Sequence, residues 1–314
     1  MKITRYSSLS EPDVESHWKS YFKTPTIFGD YDLACHIEKS LFDYGIDKVE
    51  VLIFTEDNVV KGILPISHEI TNNLWSYYPS YIFISVKVTI DDDCWKHLYL
   101  NVPTPFRIHE TSFKTSIQIP LITLNPANVI NLTSHVLDTD PFNSYLASLD
   151  KKTRSKFRNC LNRNQDIEVI ISHEKDVEGG DIVIKNYMDY CTRFEEGEEF
   201  SYFQNQLAIF PKLFEVATRL GELIILQLRL DGELVALNYS LLENGCLYDY
   251  ICYRDVSEEL DKRSLGIFAI LKNIEYVLRY KQELYYDLAS EFSYKRQFIP
   301  DHSEHYKQIT LHFA

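Results

Sequence analysis

The sequence predicts an α/β protein made of two tandem lobes, and three observations support this fold class. The chain has 314 residues, which is more than one domain usually contains and favours about two. Apolar segments joined by tight turns, typical of strands in hairpins, occur in both halves of the chain. Amphipathic segments whose apolar side chains recur every three or four residues indicate helices beside those hairpins.

The composition is that of a globular chain, with 45% hydrophobic and 25% charged residues. The 32 Lys and Arg against 46 Asp and Glu give a net charge of −14, which argues against general nucleic-acid binding but allows a local basic patch. The six cysteines include no CxxC pair and are interpreted as reduced thiols. The N-terminus is polar and no uncharged apolar run reaches ~18 residues, so we expect a cytoplasmic protein without a membrane span.

The first half contains one predicted helix followed by one predicted hairpin. Residues 31–42 have helical periodicity, and residues 49–55 and 59–66 are apolar strands that flank a polar turn at residues 56–58. The second half repeats this order with a helix at residues 202–220 and a longer set of strands. The repetition suggests a weak internal duplication; the alternative is that any two hairpins look alike.

A three-stranded antiparallel meander is the clearest prediction of the second half. Its strands are residues 223–230, 233–242 and 246–253. The pairs Asp-Gly and Asn-Gly between them are strong hairpin signals, because both central positions of such a turn need a positive φ. A loop at residues 254–264 follows, then a helix at 265–280, a short strand at 283–288 and a last strand at 308–313.

We expect the two lobes to join near residues 131–150, where loop and helix-start residues mix. The predicted domains are therefore an N-terminal lobe of residues 1–140 and a C-terminal lobe of residues 141–314. A glycine-bearing loop followed by a long amphipathic helix occurs only in the second half. The C-terminal lobe is thus expected to carry the donor site and the chemistry, and the N-terminal lobe to be non-catalytic.

The segment Arg263, Ser264, Leu265 and Gly266 opens the helix that follows the meander. A helix N-terminus presents backbone N–H groups and the positive end of the helix dipole, so it suits a phosphate. Glycine lets a phosphate approach the backbone closely, and Ser264 is the expected N-cap. The alternative is a capped helix with an arginine there by chance.

The chain resembles the FemAB/CelD-like branch of the GNAT-fold acyltransferases, which are tandem proteins with two GNAT-like lobes. The segments that carry the resemblance are residues 231–236, 263–266, 286–288 and 294–298. Residues 264–300 are also similar to the C-terminal part of arginyl-tRNA–protein transferases. The resemblance implies that each lobe is a mostly antiparallel mixed sheet flanked by helices.

The same resemblance implies an N-acyltransferase. It would move an acyl group from acyl-CoA, acetyl or longer, to an amine or hydroxyl of a small molecule or peptide by direct attack, without a metal. Phe268 departs from the family pattern, which has Gly or Ala there. Its ring either crowds a CoA pyrophosphate, favouring an acyl carrier protein or an aminoacyl-tRNA as donor, or simply faces the core. An aminoacyl-tRNA-dependent transferase and a non-catalytic GNAT-like binding protein are the alternatives.

Four residues are expected to carry the chemistry. In GNAT enzymes two strands splay apart beside the reacting carbonyl, and here these would be residues 247–253 and 283–288. Asp249 and Asp287 lie on them and are candidate bases or amine-binding carboxylates; an isolated Asp on a strand is otherwise a surface or capping residue. By resemblance, Tyr294 is a candidate acid for the leaving group and Lys295 a cation that steadies the oxyanion. The alternative for Lys295 is a solvated side chain.

Residues 151–163 form a basic segment with six cations. If the segment is helical, Lys151, Arg154 and Arg158 share one face while Lys152, Lys156 and Arg163 lie on another. Arg154 and Arg158 are the predicted contacts to phosphates of the donor. The alternative is a solvated helix paired with the acidic run at residues 195–199.

Other enzyme classes have no support in the sequence. It contains no Walker loop and no GxGxxG, GxSxG or HExxH motif, so kinase, dehydrogenase and hydrolase interpretations are unsupported. The C-terminal histidines fit no standard zinc spacing, and no metal site is predicted.

Overall fold

The computed structural model describes residues 1–23, 26–27, 29–41, 46–70, 73–77, 94, 97, 102–103, 106–114, 124–126, 129–172, 199–220, 223–243, 245–255, 257–281, 285–288, 293–300 and 306–313. The chain forms two compact units. One comprises Met1–Ala127, Ser201–Val216 and His305–Ala314, and the other Asn128–Phe200 and Ala217–Glu304. Among the described helices, none has the length and apolar character needed to cross a membrane.

The first unit is built on a seven-stranded sheet with the order β1-β2-β3-β4-β5-β13-β6. All of its strand pairs are antiparallel except β4 with β5. Its strands are β1 (Lys2–Tyr6), β2 (Ile46–Glu56), β3 (Val59–Glu69), β4 (Leu74–Tyr77), β5 (Phe106–Lys114), β6 (Leu124–Pro126) and β13 (Tyr306–Phe313), and its helices are α1 (Pro12–Tyr21) and α2 (Tyr31–Leu41).

The second unit is built on a six-stranded sheet with the order β7-β12-β11-β10-β9-β8, in which only β11 and β12 pair in parallel. Its strands are β7 (Val129–Asn131), β8 (Glu168–Ser172), β9 (Leu223–Leu230), β10 (Glu233–Glu243), β11 (Cys246–Arg254) and β12 (Tyr285–Asp287). Its helices are α3 (Pro141–Ser148), α4 (Lys151–Arg163), α6 (Glu258–Arg263) and α7 (Leu265–Tyr276), while α5 (Glu199–Leu220) contributes to both units. The α/β class with two mostly antiparallel mixed sheets is therefore confirmed.

The predicted meander is present as β9, β10 and β11. The first turn contains Asp231 with φ 53° and Gly232 with φ 86°, the left-handed pair that an Asp-Gly hairpin turn requires. At the second turn Gly245 has φ 75°. Its neighbour Asn244, the first two positions of the predicted strand at 283–288, and most of the acidic run at 195–199 lie outside the described residues.

Two segments differ locally from their predictions. Residues 254–264, expected to be a loop, contain the short helix α6. The Ser257 hydroxyl caps it by accepting a hydrogen bond from the Leu260 N–H at 3.2 Å, with acidic residues in the first turn and basic residues in the last. The N-cap and the charge distribution along the helix axis therefore stabilise α6, which lacks the apolar periodicity by which longer helices are predicted. The helix expected at 265–280 ends as an α-helix at Tyr276 and continues as a π-helical turn, Val277–Lys281.

The two units also depart from the predicted domains of residues 1–140 and 141–314. The last strand, β13, pairs with β5 and β6 in the first sheet. Conversely, β7 pairs with β12 in the second sheet. Part of α5 likewise belongs to the first unit. The periodicity of a segment predicts that it forms a strand. It does not predict which distant strand becomes its hydrogen-bonding partner, so the sheet to which each strand belongs could not be predicted.

The core of the second unit lies between its sheet and helices α3, α4 and α7. Apolar side chains of α7 are buried there with those of α3 and of the central strands. Phe157 of α4 stacks on Phe298, with ring centroids 4.6 Å apart. Phe298 ends a 3₁₀ turn, Ser293–Phe298, that also contains Tyr294 and Lys295.

Candidate active site

The parallel pairing of β11 with β12 ends just before Asp249, at a point that is called the fork here. They pair in parallel only as far as Tyr248 with Asp287, after which β11 continues to Arg254. A β-bulge lies beside this fork, because Tyr239 pairs with Ile251 whereas Ser240 pairs with Asp249. Bulges bend a strand and increase its twist, so β11 is irregular at this point. Residues 247–253 and 283–288 are the strands expected to splay; the structure shows that their pairing stops here, where β12 itself ends.

Asp249 and Lys295 form a buried ion pair at this fork. The Lys295 Nζ lies 3.5 Å from the Asp249 Oδ2, and the two residues are only 6% and 7% exposed. Lys295 Nζ also donates a hydrogen bond to the backbone carbonyl of Leu288, which follows β12. Neither alternative from the sequence applies, since Lys295 is not solvated and Asp249 is not on the surface.

The other two candidate catalytic residues have different surroundings. Asp287 is buried at the end of β12, beside the fork. Tyr294 is 43% exposed, and its backbone carbonyl accepts a hydrogen bond from Gln297 Nε2 at 2.6 Å. The structure thus brings Asp249 and Lys295 into contact, buries Asp287 and leaves Tyr294 at the surface.

A buried polar network, which the sequence reasoning missed, continues from Asp249. Asn238 Nδ2 donates to Asp249 Oδ1 at 2.6 Å. Asn238 Oδ1 accepts from Ser240 Oγ at 2.7 Å and from Asn273 Nδ2 at 2.6 Å. Asn273 Nδ2 also lies 3.2 Å from the Tyr286 hydroxyl. A signal existed, because Asn238 and Ser240 interrupt an apolar strand at a two-residue spacing and Asn273 interrupts the apolar face of α7.

The Tyr286 phenol stays protonated in this network. Burial raises its pKa well above the ordinary value, and the negative charge of Asp249 raises it further. A neutral phenol can both accept and donate hydrogen bonds. The network therefore contains neutral amides and hydroxyls, with the ionic pair at one end.

The N-terminus of α7 opens toward free space. Ser264 ends α6 and begins α7 in a left-handed conformation with φ 56°, and its side chain makes no capping hydrogen bond, contrary to expectation. The Phe268 N–H donates to the Ser264 carbonyl at 3.1 Å. The N–H groups of Leu265 and Gly266 precede that bond in the first turn. A Cβ placed on Gly266 would meet nothing within 4 Å.

Arg263 is already paired with carboxylates. Its Nη1 donates to Asp166 Oδ1 at 2.7 Å, and its Nη2 lies 4.0 Å from Glu259 Oε1. The guanidinium lowers the pKa of the Asp166 carboxyl, chiefly through that hydrogen bond. The Arg263 carbonyl accepts from Asn164 Nδ2 at 2.9 Å. Helix α4, which ends just before Asn164, thereby supports the backbone that leads into α7.

Phe268 faces the core. It is 2% exposed and lies in an apolar cluster with Leu226, Leu228 and Leu265. Of the two interpretations that the sequence left open, the second holds, because the ring is buried in this apolar cluster. The departure from the family pattern therefore does not crowd a phosphate at this helix end.

The basic segment is a helix, α4, whose Phe157 and Cys160 are buried while its cations are turned outward. An open groove of about 600 Å³ follows one side of it. The groove is lined by Lys151, Lys152, Ser155, Lys156, Asn159 and Arg163. Arg154 donates to the Ala147 carbonyl at 3.0 Å, and Arg158 is exposed on another face. The predicted phosphate contacts Arg154 and Arg158 thus lie outside the groove lining.

No protein-family model and no curated protein matches the chain. Solved structures do match over nearly its whole length. A conserved protein of unknown function from Bacteroides thetaiotaomicron covers 99% of this chain and 100% of its own, at 13% identity and a TM-score of 0.55. The match to FemX covers 93% of this chain and 89% of FemX, at 12% identity and a TM-score of 0.49. The match to a tandem GNAT protein from the clavulanic acid biosynthesis pathway covers 98% of this chain and 97% of that protein, at 11% identity and a TM-score of 0.44. At these identities the likeness to the Bacteroides protein shows a shared fold alone.

Proposed function

We propose that the second unit transfers an acyl group from an activated donor to an amine by direct attack. The observation that carries this proposal is the buried Lys295–Asp249 pair at the fork between β11 and β12. Acyl transfer needs a positive group near the carbonyl oxygen and an acceptor for the proton of the amine. A cation and a carboxylate side by side in a buried site supply both.

Each side chain then has a distinct role. The Lys295 ammonium stabilises the negative charge that develops on the carbonyl oxygen, an interaction that is stronger in a buried site than in water. Asp249 takes the proton released by the attacking amine. Asp287, buried beside the fork, orients the amine, and Tyr294 supplies a proton to the leaving group from the exposed side. No covalent enzyme intermediate is required.

Acyl-CoA is the proposed donor. The first turn of α7 offers the backbone N–H groups of Leu265 and Gly266 and an open approach to a pyrophosphate at Gly266. Arg263 adds a positive charge beside this turn while it remains bonded to Asp166. Arg154 and Arg158 of α4 are proposed as outer contacts to the donor. These features support a phosphate-bearing donor and do not require a metal.

Thermal denaturation with CoA and acetyl-CoA tests the donor site. A ligand at ~100 times its dissociation constant adds ~2.7 kcal/mol to the free energy of unfolding, so the melting temperature of the wild type is expected to rise. Gly266→Trp should abolish that rise by filling the space above the first turn. Gly266→Ala is the matched control; it should keep the rise and stabilise the helix by about 0.5–1 kcal/mol.

Two results would contradict the assignment. An undiminished rise in Gly266→Trp would mean that CoA binds elsewhere. The absence of any rise in the wild type would exclude CoA as the donor and point to an acyl carrier protein, an aminoacyl-tRNA or a non-catalytic role.

An aminoacyl-tRNA donor is the second candidate, favoured by the groove along α4. Four of its six lining residues are cations. Within the described part of the chain, Lys151, Lys152 and Lys156 form no ion pair with a carboxylate. Lys156 Nζ donates instead to Gln297 Oε1 at 2.7 Å, in the turn that carries Lys295. A polyanion in the groove would therefore end close to the proposed site.

The salt dependence of tRNA binding tests this candidate. When the logarithm of the binding constant is plotted against the logarithm of the salt concentration, each phosphate contact makes the slope more negative by about 0.7 to 0.9. The triple variant K151Q/K152Q/K156Q is expected to reduce the slope for an aminoacylated tRNA pool by about 2–3. The variant K2Q/K19Q/K48Q removes the same charge from the first unit and should leave the slope unchanged. Equal slopes in the two triple variants would rule out the groove.

A further inference from the structure

Asn238 of β10 is the most completely bonded side chain around the ion pair. Its Nδ2 donates to Asp249 Oδ1 at 2.6 Å and to the Ile251 carbonyl at 3.2 Å. Its Oδ1 accepts from Ser240 and Asn273. A primary amide has two N–H donors and two lone pairs, and all four are used here. The amide of this 1% exposed residue therefore has a single orientation.

This orientation makes the two oxygens of Asp249 different. The Oδ1 is held by the short hydrogen bond from Asn238. The Oδ2 faces Lys295 Nζ at 3.5 Å, which is an ion-pair distance but longer than a good hydrogen bond. The Oδ2 is consequently the oxygen available to take a proton, and Asn238 decides where it points.

Asn273 ties this arrangement to helix α7. Its Nδ2 donates to Asn238 Oδ1 and lies 3.2 Å from the Tyr286 hydroxyl of β12. Four elements are thus joined through two amides: β10, which carries Asn238; β11, which carries Asp249; β12 at the fork; and α7, whose N-terminus is the proposed donor site. A shift of α7 relative to β11 would break a buried hydrogen bond, which is costly.

We infer that Asn238 and Asn273 are positioning residues, which hold the Asp249 carboxylate in register with Lys295 and with the donor helix. The inference rests on the proposed acyl transfer. It states that the two amides act on turnover and leave donor binding unchanged, because neither is at the open end of α7. Asn238 acts directly on Asp249, and Asn273 acts through Asn238.

Steady-state kinetics with acetyl-CoA as donor and hydroxylamine as acceptor test the inference. Asn238→Asp keeps the size and the acceptor atoms but removes the donor to Asp249, so kcat should fall about a hundredfold, the scale of general-base catalysis. The KM for acetyl-CoA should stay within about twofold of the wild-type value. Asn273→Leu should lower kcat by about tenfold, and N238L/N273L should be no worse than Asn238→Leu, because both act through one carboxylate.

Asn164→Leu is the matched control. Asn164 is as buried as Asn238, but its amide bonds to the carbonyls of Cys160 and Arg263 beside the donor turn. This variant is expected to raise the KM for acetyl-CoA while kcat stays near the wild-type value. An unchanged kcat in Asn238→Asp, or additive losses in the double variant, would overturn the positioning role.

A second measurement does not depend on activity. Urea unfolding of N238L, D249N and the double variant N238L/D249N gives the coupling between the two side chains. A hydrogen bond to a charged group predicts a coupling of about tenfold to a hundredfold in the folding equilibrium constant. Coupling below about twofold would overturn the contact itself. If the coupling is strong but the wild-type protein transfers no acyl group from any donor, the contact is correct and the proposed function is wrong. The catalytic role of the two amides would then be overturned with it.

Discussion

Replacing Lys295 with alanine is expected to abolish acyl transfer and to lower the free energy of unfolding by about 3–5 kcal/mol. The loss of activity follows from the proposed role of Lys295, because the ammonium that would stabilise the carbonyl oxygen is removed. The loss of stability follows because Asp249, 7% exposed, would keep a buried charge without its partner. Urea unfolding and donor turnover on the same preparation measure the two effects.

The double variant D249N/K295M separates the two effects of this substitution. It removes both charges, so most of the lost stability should return while activity stays absent, since a neutral pair of similar volume costs little to bury. Retention of wild-type turnover by Lys295→Ala would disprove the catalytic assignment. Unchanged stability in Lys295→Ala would mean that water reaches Asp249 and that the site is more open than the structure indicates.

Phe298→Ala is expected to lower the free energy of unfolding by about 3–5 kcal/mol and to remove activity as well. Phe298 is fully buried, and its ring stacks on Phe157 at a centroid distance of 4.6 Å. Its carbonyl accepts a hydrogen bond from the Tyr145 hydroxyl at 2.8 Å. The 3₁₀ turn that carries Lys295 is anchored by these contacts, so a cavity there displaces the lysine to which catalysis is proposed. Calorimetry and turnover at a temperature where the variant is folded check the prediction.

Phe210→Ala is the matched control for Phe298→Ala. Phe210 is equally buried but lies in the first unit, within α5. A comparable loss of stability is expected, with normal turnover per folded molecule. If Phe298→Ala also kept normal turnover per folded molecule, the turn would not need its aromatic anchor to position Lys295.

Features set by neighbouring residues could be predicted from the sequence. The Asp231-Gly232 turn and the helix at 151–163 depend on local φ preferences and on a cap, here the Asp150 side chain bonded to the Lys152 and Thr153 N–H groups. The short helix α6 was missed because it lacks apolar periodicity. The signals that indicate this helix are its capping Ser257 and its charge pattern, both visible in the sequence.

In the candidate site too, the sequence predicts single residues, whereas their contacts depend on the tertiary structure. Asp249 and Lys295 were each singled out from the sequence, one by its strand and the other by resemblance. Their 3.5 Å contact is set by the tertiary structure, which places the turn at 293–298 beside the end of the β11–β12 pairing. Asn238 and Asn273 were overlooked because a polar residue in an apolar segment is informative only once the register shows that it faces inward.

The sequence by itself determined the class of fold, the meander and the long helix, and its resemblance to a family singled out the residues for which acyl transfer is proposed. Only the tertiary structure decided that β13 joins the first sheet, that Phe268 faces the core, and that Asp249 meets Lys295 and Asn238. The physical reason is the separation along the chain over which each interaction acts. Turns, caps and helical periodicity act over a few residues. Strand pairing and buried ion pairs join residues far apart in the chain, and packing alone selects among the possible partners.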